Sequence, residues 1–391
     1  MKRTTIGTVV TALGLMACGG GDPAGNSTEG AGGSGAGTTN GSGPTGSGSG
    51  GGNTASCDGF AEEAFADGTT DYVGGVSVTT LAGSADSGNL DGNGSTAAFN
   101  NPVSVLADND SLLVTDYNNH QIRRVTESGE VTTFMTDVDG FFRPFGLTFG
   151  ADTLYVQTDW NTEGDTDFSN GSIWKVDPIS GSATPWLEDV NRNRGLAWLD
   201  GKLYAATVDR NVIRTGAPDA TELGNVAGEW DCANFADGNG TEARFELPYG
   251  MAVGASGDLL VADWGNHAIR RVTPDGVVTT ITGNGSPGMN DGALADARFY
   301  NPIDVAVDAS GRIYVSDLGN QRIRLIDEGA GTVSTIAGTG ARGFADGNGD
   351  AAEFYGQEGI AVTPDGMTIY LADGTQGEDG QPYNRVRVIT R

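Results

Sequence analysis

Residues Leu259 to Gly283 read LLVADWGNHAIRRVTPDGVVTTITG, and this stretch decides the fold. Leu259 to Ala262 is a short apolar strand. Asp263, Gly265 and Asn266 follow as a turn, because Asp, Gly and Asn accept the backbone angles that turns require. Ile269 to Val272 is a second strand, and Pro274-Asp275-Gly276 a second turn. Val277 to Thr282 is rich in β-branched residues, which fit a pleated, half-buried surface. The same text recurs at Leu113 to Phe134 and at Tyr314 to Gly338. The chain therefore repeats a β-meander.

Composition agrees. Of 391 residues, 64 are Gly and only 19% are charged, with short apolar runs between Gly, Asp, Asn and Pro clusters. This pattern predicts an all-β chain. The formal net charge of -29 opposes binding to nucleic acid, which needs a basic patch, and adsorption to anionic lipid. It keeps the molecule soluble and attracts divalent cations.

The first residues have a different character. Lys2-Arg3 precede an apolar run, Ile6 to Met16, which is too short to span a bilayer. Leu15-Met16-Ala17-Cys18 and the glycines after it resemble a bacterial lipoprotein signal. The resemblance implies cleavage after residue 17, lipid on Cys18, and, with Gly19 next, the outer membrane or cell surface. Between Gly19 and Ser56 there are 16 Gly and 11 Ser or Thr, leaving little to bury. Residues 18–56 are thus expected to be a flexible tether, with an r.m.s. span of roughly 30–40 Å. With Cys18 lipidated, Cys57 and Cys232 remain, and outside the cytoplasm they are expected to form one disulfide.

From Val76 onward the chain is periodic. An acid at the strand end recurs at Asp116, Asp159, Asp209, Asp263, Asp317 and Asp373. A second landmark is Asp-Gly, with Ala six and Phe eight residues after the Asp. It occurs at Asp91…Ala97…Phe99, Asp237…Ala243…Phe245, Asp291…Ala297…Phe299 and Asp346…Ala352…Phe354. A period near 50 residues with several strands per unit means a propeller or a solenoid. Six units can be counted, and the sixth lacks its last strand. Residues 76–81, VSVTTL, match the missing strand and are expected to complete the last blade. Ring closure of this kind removes the exposed sheet edge. The expected fold is an all-β, six-bladed propeller of four-stranded blades over residues 57–391.

The segments Tyr117 to Arg124, Trp264 to Arg271 and Leu318 to Arg324 resemble the NHL repeat. Asn384-Arg385-Val386-Arg387 matches it in part, and units two and three match in outline. Such propellers serve as enzymes, sensors and binding scaffolds, so the resemblance speaks for fold more than function.

The candidate chemistry is sparse. His120 and His267 occupy one place in units one and four, on opposite sides of a six-membered ring, so they cannot share an ion. Some NHL-like lyases hold zinc with several histidines. Two here fall short of the usual ligand set, and no metal site is expected at them. The Asp-Gly-Asn-Gly loops at Asp91, Asp237 and Asp346 faintly resemble calcium loops, but Pro102, Pro248 and Gln357 stand where the closing glutamate would be. Calcium is the one cofactor left open. No nucleophile elbow, phosphate loop or zinc-protease motif occurs.

Unlike residues collect on one face, where the loops between second and third strands meet the blade links. They include the acidic insertion Trp160 to Asn170, the segment Gly374 to Tyr383, and Glu229-Trp230-Asp231-Cys232. At the starts of the inner strands the repeat breaks at Phe145, Arg194, Tyr249 and Glu358, and Trp160 and Trp264 follow turn acids. These six residues are the expected ligand-binding set, at a channel mouth where propellers commonly bind. The expectation is a monomeric, envelope-anchored module that binds a protein, peptide or glycan without catalysis. The alternatives are a metal-assisted hydrolase, lactonase or lyase at the mouth, and a structural envelope protein.

Overall fold

Each repeat closes on itself as an antiparallel sheet. In the computed structural model, which describes residues 68–135, 138–167, 169–374 and 383–391, the fourth unit has strands Pro248–Val253, Leu259–Asp263, Ala268–Val272 and Val277–Thr282. They pair in sequence order from the channel outward. Six such sheets form the propeller.

The ring closes as expected. Ser77–Ser84 pairs with the last strand, Asn384–Thr390, in the register Val78↔Ile389. The sixth blade therefore joins the two ends of the described chain, and its outer strand comes from residues far from the rest in sequence.

The Asp-Gly landmark has a structural meaning. Its Gly and the residue after it form a two-residue fifth strand on the blade's outer edge, as at Gly92↔Val131 and Gly238↔Val278. The landmark Asp accepts from an arginine of the third strand. The pairs are Asp91–Arg123 at 2.7 Å, Asp237–Arg270 at 2.8 Å, Asp291–Arg324 at 2.6 Å and Asp346–Arg387 at 2.8 Å. The same guanidinium bonds the acid ending the second strand: Asp116, Asp263, Asp317 or Asp373. It also lies over the landmark Phe, about 5 Å from ring centroids at Phe99, Phe245, Phe299 and Phe354. All four arginines are fully buried. Each buried cation thus has two carboxylates and an aromatic face, which is the condition for a buried charge to be tolerated.

Here the structure corrects the reading of the repeat. The acid device occurs in blades one, four, five and six, not in all six. In blades two and three the second strand ends at Thr158 and Thr207. Those residues pair with the first residue of the inner strand, as Asp116 and Asp263 do. Asp159 and Asp209 lie one and two residues further on. In blade two the arginine is Trp174, and its Nε1 donates to Thr158 Oγ1 at 3.0 Å. An ion pair has been replaced as a unit by a neutral hydrogen bond.

The inner strands approach one another so closely that glycine is required at specific points. A Cβ on Gly250 would lie 2.1 Å from Asp304 Oδ1, and one on Gly359 would lie 2.7 Å from the Ser104 Cα. This packing sets the narrow channel on which the candidate site is built.

Candidate functional site

Two rings of side chains define the channel mouth. The second residue of each inner strand gives Val103, Phe145, Arg194, Tyr249, Ile303 and Glu358. The residue after each second strand gives Tyr117, Asp159, Val208, Trp264, Leu318 and Gly374. Val103, Tyr117, Phe145, Val208, Tyr249, Ile303 and Leu318 form one buried cluster, with Leu247 and Trp264 packed against it. Seven residues from five blades therefore meet across the axis as an apolar plug.

The six expected ligand-binding residues separate into two groups. Phe145, Arg194 and Glu358 are fully buried and Tyr249 nearly so. Trp160 and Trp264 are half-buried at the rim. The inner-strand positions are as read from the sequence, but the side chains belong to the plug rather than to an open surface.

Arg194 and Asp159 are the polar exception. Arg194 Nη2 donates to Asp159 Oδ2 at 2.8 Å, and the Tyr117 hydroxyl donates to the same oxygen. The Arg194 guanidinium lies 3.5 Å from the Phe145 ring centroid. Burial opposes the charge on Arg194, but Asp159, Tyr117, Tyr249 and Asp209 together outweigh it and hold the pKa above the ordinary arginine value. Burial pushes the Tyr249 hydroxyl up to about 12, with Arg194 acting in the opposite direction. Sequence reading took Asp159 for a copy of the scaffold acid and so missed it. Blade two keeps the spacing of blade one, with Pro144 paired to Thr158 as Pro102 is to Asp116, so the scaffold position is Thr158 and Asp159 lies one residue past it. The signal that identifies Asp159 is the Thr158–Trp174 substitution, which shows that Thr158 is the scaffold position.

Deeper in the channel lies Asp304, fully buried. It accepts from the Ile360 N–H at 3.0 Å and the Val305 N–H at 2.8 Å. Burial raises its pKa well above the usual carboxylate range, and those two bonds only partly offset it.

The histidines are structural. His120 Nδ1 accepts the Arg143 N–H and His267 Nδ1 the Asn301 N–H, both at 3.1 Å. Asn211 and Asn384 do the same with their side-chain oxygens, for Leu247 N–H at 2.8 Å and Asn101 N–H at 2.7 Å. All four donors have positive φ. In these four blades one acceptor thus holds the strained entry to the next blade. Among the described residues no group of three or more His, Cys, Asp or Glu side chains is placed to hold a metal ion. In the loops considered for calcium, Asp91, Asp237 and Asp346 are bonded to arginine, and Thr133 and Thr280 also donate to the first two.

At the rim, Trp160, Phe142 and His120 form an aromatic group, with centroid separations of 5.7 and 5.8 Å from Trp160 to Phe142 and His120. Arg143 lies between Trp160 and Tyr117, at 4.7 and 5.1 Å from their rings. Exposed acids Glu163 and Asp165 lie on the loop that follows Trp160, and Glu188 and Asp189 on the segment that this loop bonds to. Asn161 anchors the loop by donating to Asp165 and Asp189, both at 3.2 Å. Cys232 is buried and disulfide-bonded. Its expected partner Cys57, the expected lipidation site Cys18, the tether, and residues 375–382 lie outside the described residues.

Comparison with known proteins agrees with this architecture. The SMP-30/Gluconolactonase/LRE-like region matches residues 61–285, and the NHL repeat matches residues 299–324. The chain is 24% identical over 302 residues to NHL repeat-containing protein 2 of Gallus gallus, covering 71% of this chain and 38% of that one. Among solved structures, it is similar to an auxiliary nutrient binding protein from Bacteroides thetaiotaomicron VPI-5482, with TM-score 0.62 and 18% identity over 80% of this chain and 76% of that one. A protein of the same description from Bacteroides ovatus ATCC 8483 gives TM-score 0.60 and 20% identity over 82% and 78%. At such identities the likeness is one of fold. The family match spans more than half the chain, and the protein belongs to the SMP-30/Gluconolactonase/LRE-like family, with NHL repeats in its propeller.

Proposed function

We propose that this propeller is a non-catalytic binding module, held to a bacterial envelope by lipid on Cys18, that takes a protein, peptide or glycan on its loop-rich face. The observation that carries the reading is the half-exposed aromatic rim at Trp160 and Phe142, beside the channel mouth, with exposed acids on the loop that follows Trp160. Aromatic rings offer large contact area at low entropic cost, which is why they dominate recognition surfaces. The similar Bacteroides proteins described as nutrient binding proteins support a binding role.

The family match favours a second reading, an enzyme of the lactonase kind. In that reading the substrate would meet the plug that side chains from five blades form across the mouth.

The test is affinity capture on the full chain. A partner retained by the wild type and lost from Trp160→Ala/Trp264→Ala supports the reading, and unchanged retention removes the rim as its site. Metabolic labelling with palmitate tests the anchor: label on the wild type and none on Cys18→Ala is expected, and no label on either overturns it.

A further inference from the structure

Beneath the rim, four polar atoms have no hydrogen-bond partner among the described residues: Asp159 Oδ1, Arg194 Nε, Arg194 Nη1 and Trp264 Nε1. They come from three consecutive blades and from the two rings of the mouth. The side chains of Arg194 and Asp159 are 1% and 5% exposed, so water does not reach these atoms freely. Unmet buried hydrogen-bonding groups are destabilising and call for an explanation. The scaffold arginines provide the contrast. Arg123, Arg270 and Arg387 leave only Nε unpaired, and both of their terminal nitrogens are bonded. Arg194 leaves half of its fork unused.

Tyr249 ties the set together. Its ring packs on Trp264 at 6.1 Å, and both Arg194 and Asp159 act on its hydroxyl. The Trp264 indole is half-buried and makes no hydrogen bond through Nε1, so packing alone holds it over the plug.

Charge selects the ligand. Arg194 and Asp159 already neutralise one another. A ligand carboxylate would meet Asp159 in a chain of net charge -29, and a ligand cation would meet Arg194. A neutral group must accept from Arg194 and donate to Asp159 on adjacent atoms. A pair of neighbouring sugar hydroxyls does this, since each hydroxyl both donates and accepts. The rings of Tyr249 and Trp264 supply the flat apolar surface on which the C–H face of a pyranose stacks.

We infer that the mouth binds a neutral saccharide, whose neighbouring hydroxyls bond Asp159 Oδ1 and Arg194 Nη1 when the Trp264 indole moves aside. This rests on the binding role proposed above and narrows its ligand class.

The test is a calorimetric titration of the full chain with neutral oligosaccharides (gluco-, xylo- and N-acetylchito-oligomers) and, as the competing class, short peptide amides rich in Asn and Gln. Saccharide binding that weakens about tenfold in Asp159→Asn, and several-fold in Trp264→Phe, is the expected result. Trp264→Phe keeps an aromatic ring at the mouth while removing the indole N–H and part of the stacking face, so it remains informative if Asp159→Asn folds poorly. Peptide amides bound with the same sensitivity would overturn the saccharide class and leave a binding site at the mouth. Saccharide binding unaffected by both variants but lost in Trp160→Ala would overturn the role of the buried pair and leave the rim reading intact. No saccharide binding by a folded wild type would overturn the inference, while partner capture tests the broader reading independently.

Discussion

Arg194 and Asp159 meet across the boundary between blades two and three, Nη2 to Oδ2 at 2.8 Å, in a mouth lined largely by apolar side chains. Removing one member leaves the other charge buried without its partner. Arg194→Met is expected to destabilise the fold by about 3–5 kcal/mol. The double variant Asp159→Leu/Arg194→Met should lose less than the sum of the single losses, because no lone charge remains. Denaturant midpoints of the four proteins check this. Strict additivity would show that the pair is not coupled.

The four scaffold arginines make a related prediction. Arg270→Ala leaves Asp263 and Asp237 without their cation and should cost about 3–5 kcal/mol. Blade two shows that a neutral Thr–Trp pair fits the same two positions. Asp263→Thr/Arg270→Trp should therefore be more stable than Arg270→Ala, as read from thermal unfolding. The reverse order would show that the arginine does more than fill its site.

The fold was legible in the sequence because its determinants are local. Turn residues, strand propensity and the Asp-Gly…Ala…Phe landmark repeat with little change, and the Val76 to Leu81 strand was identifiable by matching Val277 to Ile281. The inner-strand starts Phe145, Arg194, Tyr249 and Glu358 were located because they break that repeat. Their burial was not legible, since it depends on six strands meeting at an axis, and no single repeat contains that information. Asp159 was missed for a different reason. One residue of register decides whether it serves as scaffold or lines the mouth, and an acid directly after Thr158 reads like the acid that other blades carry at the strand end itself.

His267 accepts the Asn301 N–H through Nδ1, and burial lowers its pKa from 6.5 to about 4. Between these values the unfolded chain holds a proton that the native state does not. Stability from this group is therefore full above about pH 6.5 and is lost as pH falls through about 4. His267→Asn should keep the staple, as Asn211 and Asn384 do, and lose this share of acid sensitivity. Melting temperatures of both proteins across that range check it, and parallel curves would count against the assignment.

Asp304 carries the opposite sign. Burial raises its native pKa well above the ordinary carboxylate value of 3.8, so between the two values the folded state holds the extra proton. Its contribution is full below about pH 4 and is lost as pH rises through the native value. Asp304→Asn cannot ionise and should gain stability over the wild type as pH increases. A wild-type advantage that grows with pH would mean that the carboxylate is the form the fold prefers.

The proposed capture of ligands at the aromatic rim of the loop-rich face rests on Trp160 and Trp264. Its most direct test compares capture from the source cell's envelope fraction by the immobilised full chain and by Trp160→Ala/Trp264→Ala of unchanged melting temperature. The predicted result is one component retained by the wild type and held at least about tenfold more weakly by the variant, as expected for losing central aromatic anchors. Equal retention by the two proteins would rule out ligand capture at the rim.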